Sequence, residues 1–132
     1  MGAWGYLPFE NDAALDWLED LEADGADAVR QALAKAGDRY VEASEGALAL
    51  AAAEVAAATQ GNPLGNLPEG VADWVSAHGP EITAEDVEMA LEAVERVAGD
   101  RSELAELWDG AAEPGWRESV ADLAGRLRLA LE

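Results

Sequence analysis

A chain of 132 residues with 28 Asp and Glu against 8 Lys and Arg carries a formal charge of −20, and so anionic a surface repels DNA, RNA and acidic lipid, which need Lys or Arg to neutralise phosphate. The absence of cysteine excludes disulfides, thiolate metal sites and cysteine nucleophiles. Hydrophobic residues make up 50% of the chain, enough for the core of one domain, but many are alanine, so the five tryptophans must supply much of the buried area.

The N-terminal stretch "GAWGYLPFENDAALDWLEDL" contains no basic segment leading into an apolar run, so it does not read as a signal peptide. Tyr6 stands where a myristoylation motif needs Ser or Thr. The first ten residues read as an irregular segment packed on the bundle. Gly2 and Gly5 would let its backbone press close, while Trp4 and Phe9 plug the core. Asn11 or Asp12 should cap the first helix, whose Ala14, Trp17, Leu18 and Leu21 recur at helical spacing.

A second helix is predicted from about Asp24 or Gly25 to Ala36, with Val29, Leu33 and Ala36 inward and Gly37 as its left-handed stop. The third differs in kind: from Ala47 to Ala58 only Glu54 is polar. A helix apolar all round has neighbours on several sides, and alanine lets them approach closely. Its longest unbroken apolar run, Ala47 to Ala53, is too short to cross a bilayer, and a cytoplasmic protein is expected.

"QGNPLGNLP" (Gln60 to Pro68) reads as a loop, followed by a short helix with Val71, Trp74 and Val75 inward and Gly79–Pro80 at its end. Thr83 and Asp86 form a near capping box for the fifth helix, with Ile82 and Val87 as a hydrophobic staple. A sixth helix, about Arg101 to Asp109, should turn Leu104, Leu107 and Trp108 inward. The seventh starts near Pro114 and should bury Trp116, Val120, Leu123, Ala124, Leu127 and Leu131, with a close contact at Gly125. No segment alternates as a strand does. The expected fold is all-α: a compact single-domain bundle of six or seven helices around the central Ala-rich helix.

The opening stretch, together with "YVEASEGALALAAAEVAAA" (Tyr40 to Ala58) and "SELAELWDG" with Trp116 beyond it, resembles a bacterial family known as domain of unknown function 4259. The resemblance implies a small, mostly helical protein. It carries over no catalytic residue, because the family has no assigned activity.

Chemistry must therefore be sought residue by residue. His78 is the sole histidine and has no carboxylate at di-iron spacing, and no EF-hand pattern occurs, so neither a metal nor another cofactor is expected. Ser44, Ser76, Ser102 and Ser119 sit in no nucleophile-elbow or phosphate-loop pattern, and read as caps or surface residues. No enzyme is expected. Trp4 and Trp17 with Asn11, Asp12 and Asp16 either hold a cation or amine, or serve only packing and capping.

Glu54 is either half of a buried ion pair, with Arg30, Arg117 or Arg126 as partner, or the polar anchor of a small-molecule pocket. Glu85, Glu88, Glu92 and Glu95 line one face of the fifth helix, where only Arg96 offsets their repulsion. A basic protein would relieve it. The leading expectation is a non-enzymatic module that binds a basic partner, as an inhibitor or immunity-type protein does, without nucleic acid or membrane. The alternative is a small-molecule or ion-binding protein that uses Glu54 or the first-helix acids.

Overall fold

The computed structural model describes residues 5–63, 65 and 67–132. Among these, seven α-helices and no strand occur: α1 (Asp12–Asp24), α2 (Ala26–Ala34), α3 (Ala43–Thr59), α4 (Glu69–His78), α5 (Ala84–Val97), α6 (Glu103–Gly110) and α7 (Pro114–Ala130). Helix α3 packs against every one of the other six. That placement explains its composition. Gly46, Ala47 and all residues from Ala49 to Ala58 are buried, so no side of the helix faces water, and small side chains let six neighbours close on one axis. Alanine also has the highest helix propensity, so α3 does not rely on packing alone.

The helix ends follow their local chemistry. Asn11 caps α1: its Oδ1 accepts the Ala14 N–H at 2.8 Å while Nδ2 donates to the Pro8 carbonyl at 3.2 Å. At the head of α5, Thr83 Oγ1 accepts from the Asp86 N–H at 3.2 Å and Asp86 Oδ2 accepts from the Thr83 N–H at 2.9 Å, with Ile82 and Val87 buried beside them. Arg30 of α2 donates to both oxygens of the same Asp86, at 2.9 and 3.0 Å. That guanidinium, chiefly, holds the Asp86 carboxyl below its usual range against the opposing effect of burial. The capping box thereby also fastens α2 to α5. Ser102 caps α6 from a fully buried position. Beside it Val41 donates to the Arg101 carbonyl and accepts from Glu103, both at 2.9 Å, an isolated bridge between the loops that enter α3 and α6.

Four expectations need correction. Gly37 does not take a left-handed conformation, because α2 ends in a tight turn of ordinary dihedrals in which the Ala36 N–H bonds the Leu33 carbonyl at 3.1 Å. Positive φ falls instead at Gly25 (+61°), which closes α1 through the Leu21 carbonyl and opens α2 one residue later, and at Gly61 (+83°) in the loop after α3. Leu107 is 57% exposed and Trp108 only half-buried, because α6 lies along the edge of the bundle and turns Ala105 inward instead. Leu131 follows the last turn of α7 and is exposed. A Cβ at Gly125 would meet nothing within 4 Å, so that glycine makes no close helix contact.

The core tryptophans are Trp17, Trp74 and Trp116, all buried. Gly2 and Trp4 lie outside the described residues. The segment from Gly5 to Glu10 is irregular, as expected, with Phe9 buried and a turn in which the Glu10 N–H donates to the Leu7 carbonyl at 3.0 Å.

Candidate functional site

Glu54 has no exposed surface. Of the three arginines considered for it, Arg126 of α7 is the partner: Nη1 donates to Oε1 at 2.8 Å and Nη2 to Oε2 at 2.7 Å. The guanidinium is then completed by Asp122 Oδ2 at 2.8 Å and the Asn62 carbonyl at 3.1 Å. Glu54's hydrogen bonds raise the Arg126 pKa above its ordinary value although burial works the other way. A bidentate pair of this kind leaves no orphaned charge and fixes the register of α3 against α7. Arg30 and Arg117 are engaged elsewhere, with Asp86 and Asp109.

The remaining site residues lie apart from Glu54. Asp12 and Asp16 are exposed on the first turns of α1, with no base within 4 Å among the described residues. Glu85, Glu88, Glu92 and Glu95 are exposed along α5. Their relief is greater than sequence spacing indicates: Glu92 has Arg96 at 3.8 Å, but Glu95 also receives Arg128 of α7 at 3.1 Å. Glu85 and Glu88 stay without a base. The structure thus yields two separate acidic surfaces and one internal clamp, and does not gather them into one pocket.

A cleft that sequence reasoning missed lies where the N-terminal segment meets the start of α3, α6 and the start of α7. Its volume is about 490 Å³. Buried Ala47, Leu50 and Trp116 form the floor, half-buried Leu104 and Trp108 the wall, and exposed Tyr6 and Leu107 the rim. A Cβ at Gly115 would meet the Tyr6 ring at 2.6 Å, so a larger residue there would have to push that exposed side chain aside. Leu107 and Trp108 were the available signal: read as core, they instead line an opening. A second cavity of about 280 Å³ is lined by Arg39, Arg96 and Arg101, each already facing a carboxylate of its own. Glu54 lines neither cavity.

Among the described residues no group of three or more His, Asp or Glu is placed to hold a metal ion, and no helix is long and apolar enough to cross a membrane. His78 ends α4 in the open, its Nδ1 2.8 Å from Glu81 Oε2.

The family described as Domain of unknown function (DUF4259) matches residues 2–119. The chain belongs to the DUF4259 family. Neither the curated proteins nor the solved structures contain a match. The described lining of the cleft lies wholly inside the DUF4259 match, whereas Arg126 lies beyond its end, so the clamp on Glu54 joins the matched region to the last turns of α7.

Proposed function

We propose that this DUF4259 domain is a non-enzymatic, cytoplasmic protein-interaction module that binds a basic partner, an inhibitor or immunity-type protein being one example. The carrying observation is how the charges are distributed. Each arginine stands within 4 Å of a carboxylate of this same chain: Arg30, Arg39, Arg96, Arg101, Arg117, Arg126 and Arg128. The arginine charge is therefore consumed internally, leaving Lys35 as the one other base, while Asp12, Asp16, Glu19 and Asp20 along α1, with Glu85 and Glu88 on α5, have no base within 4 Å among the described residues. Such a surface steers cationic proteins toward it and repels polyanions.

Ligand binding at Glu54 has less support, since Arg126 occupies both of its oxygens. The test is a low-salt pull-down from the source cells, followed by association rates of the captured protein against ionic strength. A specific basic partner whose association slows steeply with salt is the expected result. Recovery of no basic protein, with partners present at cellular levels, would sink the proposal.

A further inference from the structure

We infer that the cleft between the N-terminal segment, α3, α6 and α7 seats an amphipathic, cationic helix of the partner, an inference that rests on the basic-partner reading above. Three observations converge. First, the lining is almost wholly apolar and includes no Lys or Arg. The Arg117 guanidinium, 5.3 Å from the Trp116 ring, is taken up by Asp109 and the Ala98 carbonyl.

Second, carboxylates surround it. Glu10 accepts the Leu7 N–H at 3.2 Å, Glu103 the Ala43 N–H at 2.8 Å and Glu113 the Gly115 N–H at 3.0 Å. Each donor belongs to or adjoins the lining, and none of the three acids has a base within 4 Å among the described residues. An apolar trough with an unneutralised acidic border matches a helix with one apolar and one basic face.

Third, the openness of the rim selects the size of the occupant. The volume alone also suits a small molecule, but a molecule seated on the floor would leave Leu107, 57% exposed, and Tyr6, 39% exposed, in water. A helix spans both. A helix laid in this groove would set its apolar face on the lining and turn its basic face toward the border acids, the arrangement by which amphipathic helices dock.

The test uses the full chain and three helical peptide probes of about 18 residues, about the length that presents anchors at i, i+3, i+4 and i+7 over several turns. One carries Leu and Lys on opposite faces, one has Ser in place of Leu at the same charge, and one has Gln in place of Lys. The Leu/Lys peptide should bind at least about tenfold more tightly than either control. It should shift the indole N–H signals of Trp108 and Trp116, and lose at least about tenfold in affinity for Leu107→Asp. Because Leu107 is exposed, that variant should melt like wild type, and Tyr6→Gln serves as the second rim variant.

Equal binding of the Leu/Lys and Ser/Lys peptides, undisturbed by either rim variant, would overturn the cleft while leaving the charge-based reading in place. No binding of any cationic peptide at low salt would overturn both. Equal binding of the Leu/Gln peptide would overturn the cationic requirement.

Discussion

Arg126 grips Glu54 with one guanidinium nitrogen on each carboxylate oxygen, across 72 residues of sequence and at a carboxylate with no exposed surface. Arg126→Met strands a carboxylate in the alanine-walled interior and should cost about 3–5 kcal/mol, whereas the double variant Glu54→Leu/Arg126→Met should cost clearly less. Denaturant unfolding of the three proteins decides the matter. A double variant less stable than the single one would mean that the pair contributes net stability beyond mutual neutralisation.

Burial separates the tryptophans. Trp17→Ala and Trp116→Ala should each destabilise by about 3–5 kcal/mol, since both rings are in the core. Trp108→Ala should cost markedly less, because its ring is half-exposed on the wall of the cleft. Thermal melts that rank Trp108→Ala with the other two would contradict this placement.

Two exposed backbone positions predict opposite exchanges of the same residue types. Ala112 sits at φ +55° in the turn between α6 and α7, a region that penalises a Cβ. Ala112→Gly should therefore stabilise by roughly 0.5–1 kcal/mol after the extra chain entropy of glycine is subtracted. Gly125→Ala, inside α7 and with space around it, should stabilise by about 1 kcal/mol through helix propensity. Both are read as shifts in denaturant midpoint, and a loss of stability in either would contradict the local geometry.

Acid should unlock one specific clamp. Arg39 donates to Glu45 at 2.9 and 2.7 Å, and with the Glu42 N–H it holds the Glu45 carboxyl at about 2 instead of 4.5. Its folded pKa is depressed, so the stabilisation is fully present above the unfolded value and is lost as pH falls from there through about 2. The stability difference between wild type and Glu45→Gln should shrink over that window and disappear below it. Taking the difference removes the changing repulsion among the other acids. A gap that persists at the acid end would exclude the charged pair as its source.

Glu85→Gln, Glu88→Gln, Glu92→Gln and Glu95→Gln combined should leave the fold intact or slightly more stable, since the repulsion they relieve is set against two exposed ion pairs worth little. The same protein should associate more slowly with a basic partner, and the effect should fade as added salt shortens screening toward about 8 Å. Unchanged association rates would remove α5 from the recognition surface.

Signals confined to one turn or one helix were readable in the sequence. The caps at Asn11 and Thr83 depend on residues three apart, and the burial of Glu54 follows from the apolar helix that carries it. Which arginine meets Glu54 was not readable, because three were chemically equivalent and the choice depends on how α7 crosses α3. Asp86 looked like half of a cap, and its second role toward Arg30 depends on the packing of α2 against α5. The cleft escaped for the same reason. It is built from the N-terminal segment, α3, α6 and α7, and Leu107 differs from a core leucine only in what the rest of the chain leaves uncovered. Gly25 and Gly37 are equally plausible left-handed stops by composition, and only the chain path distinguishes them.

Because α3 touches every other helix, none of the six can detach without wetting a strip of it. Breathing motions that peel away α2 or α5, the helices that pack most broadly on α3, would expose alanine-lined backbone at the centre, so such an opening carries much of the cost of complete unfolding. The amide protons of Ala49 to Ala57 should consequently trade with deuterium only when the whole chain unfolds. Their exchange rate becomes a clock for global unfolding, set by one helix on behalf of all seven.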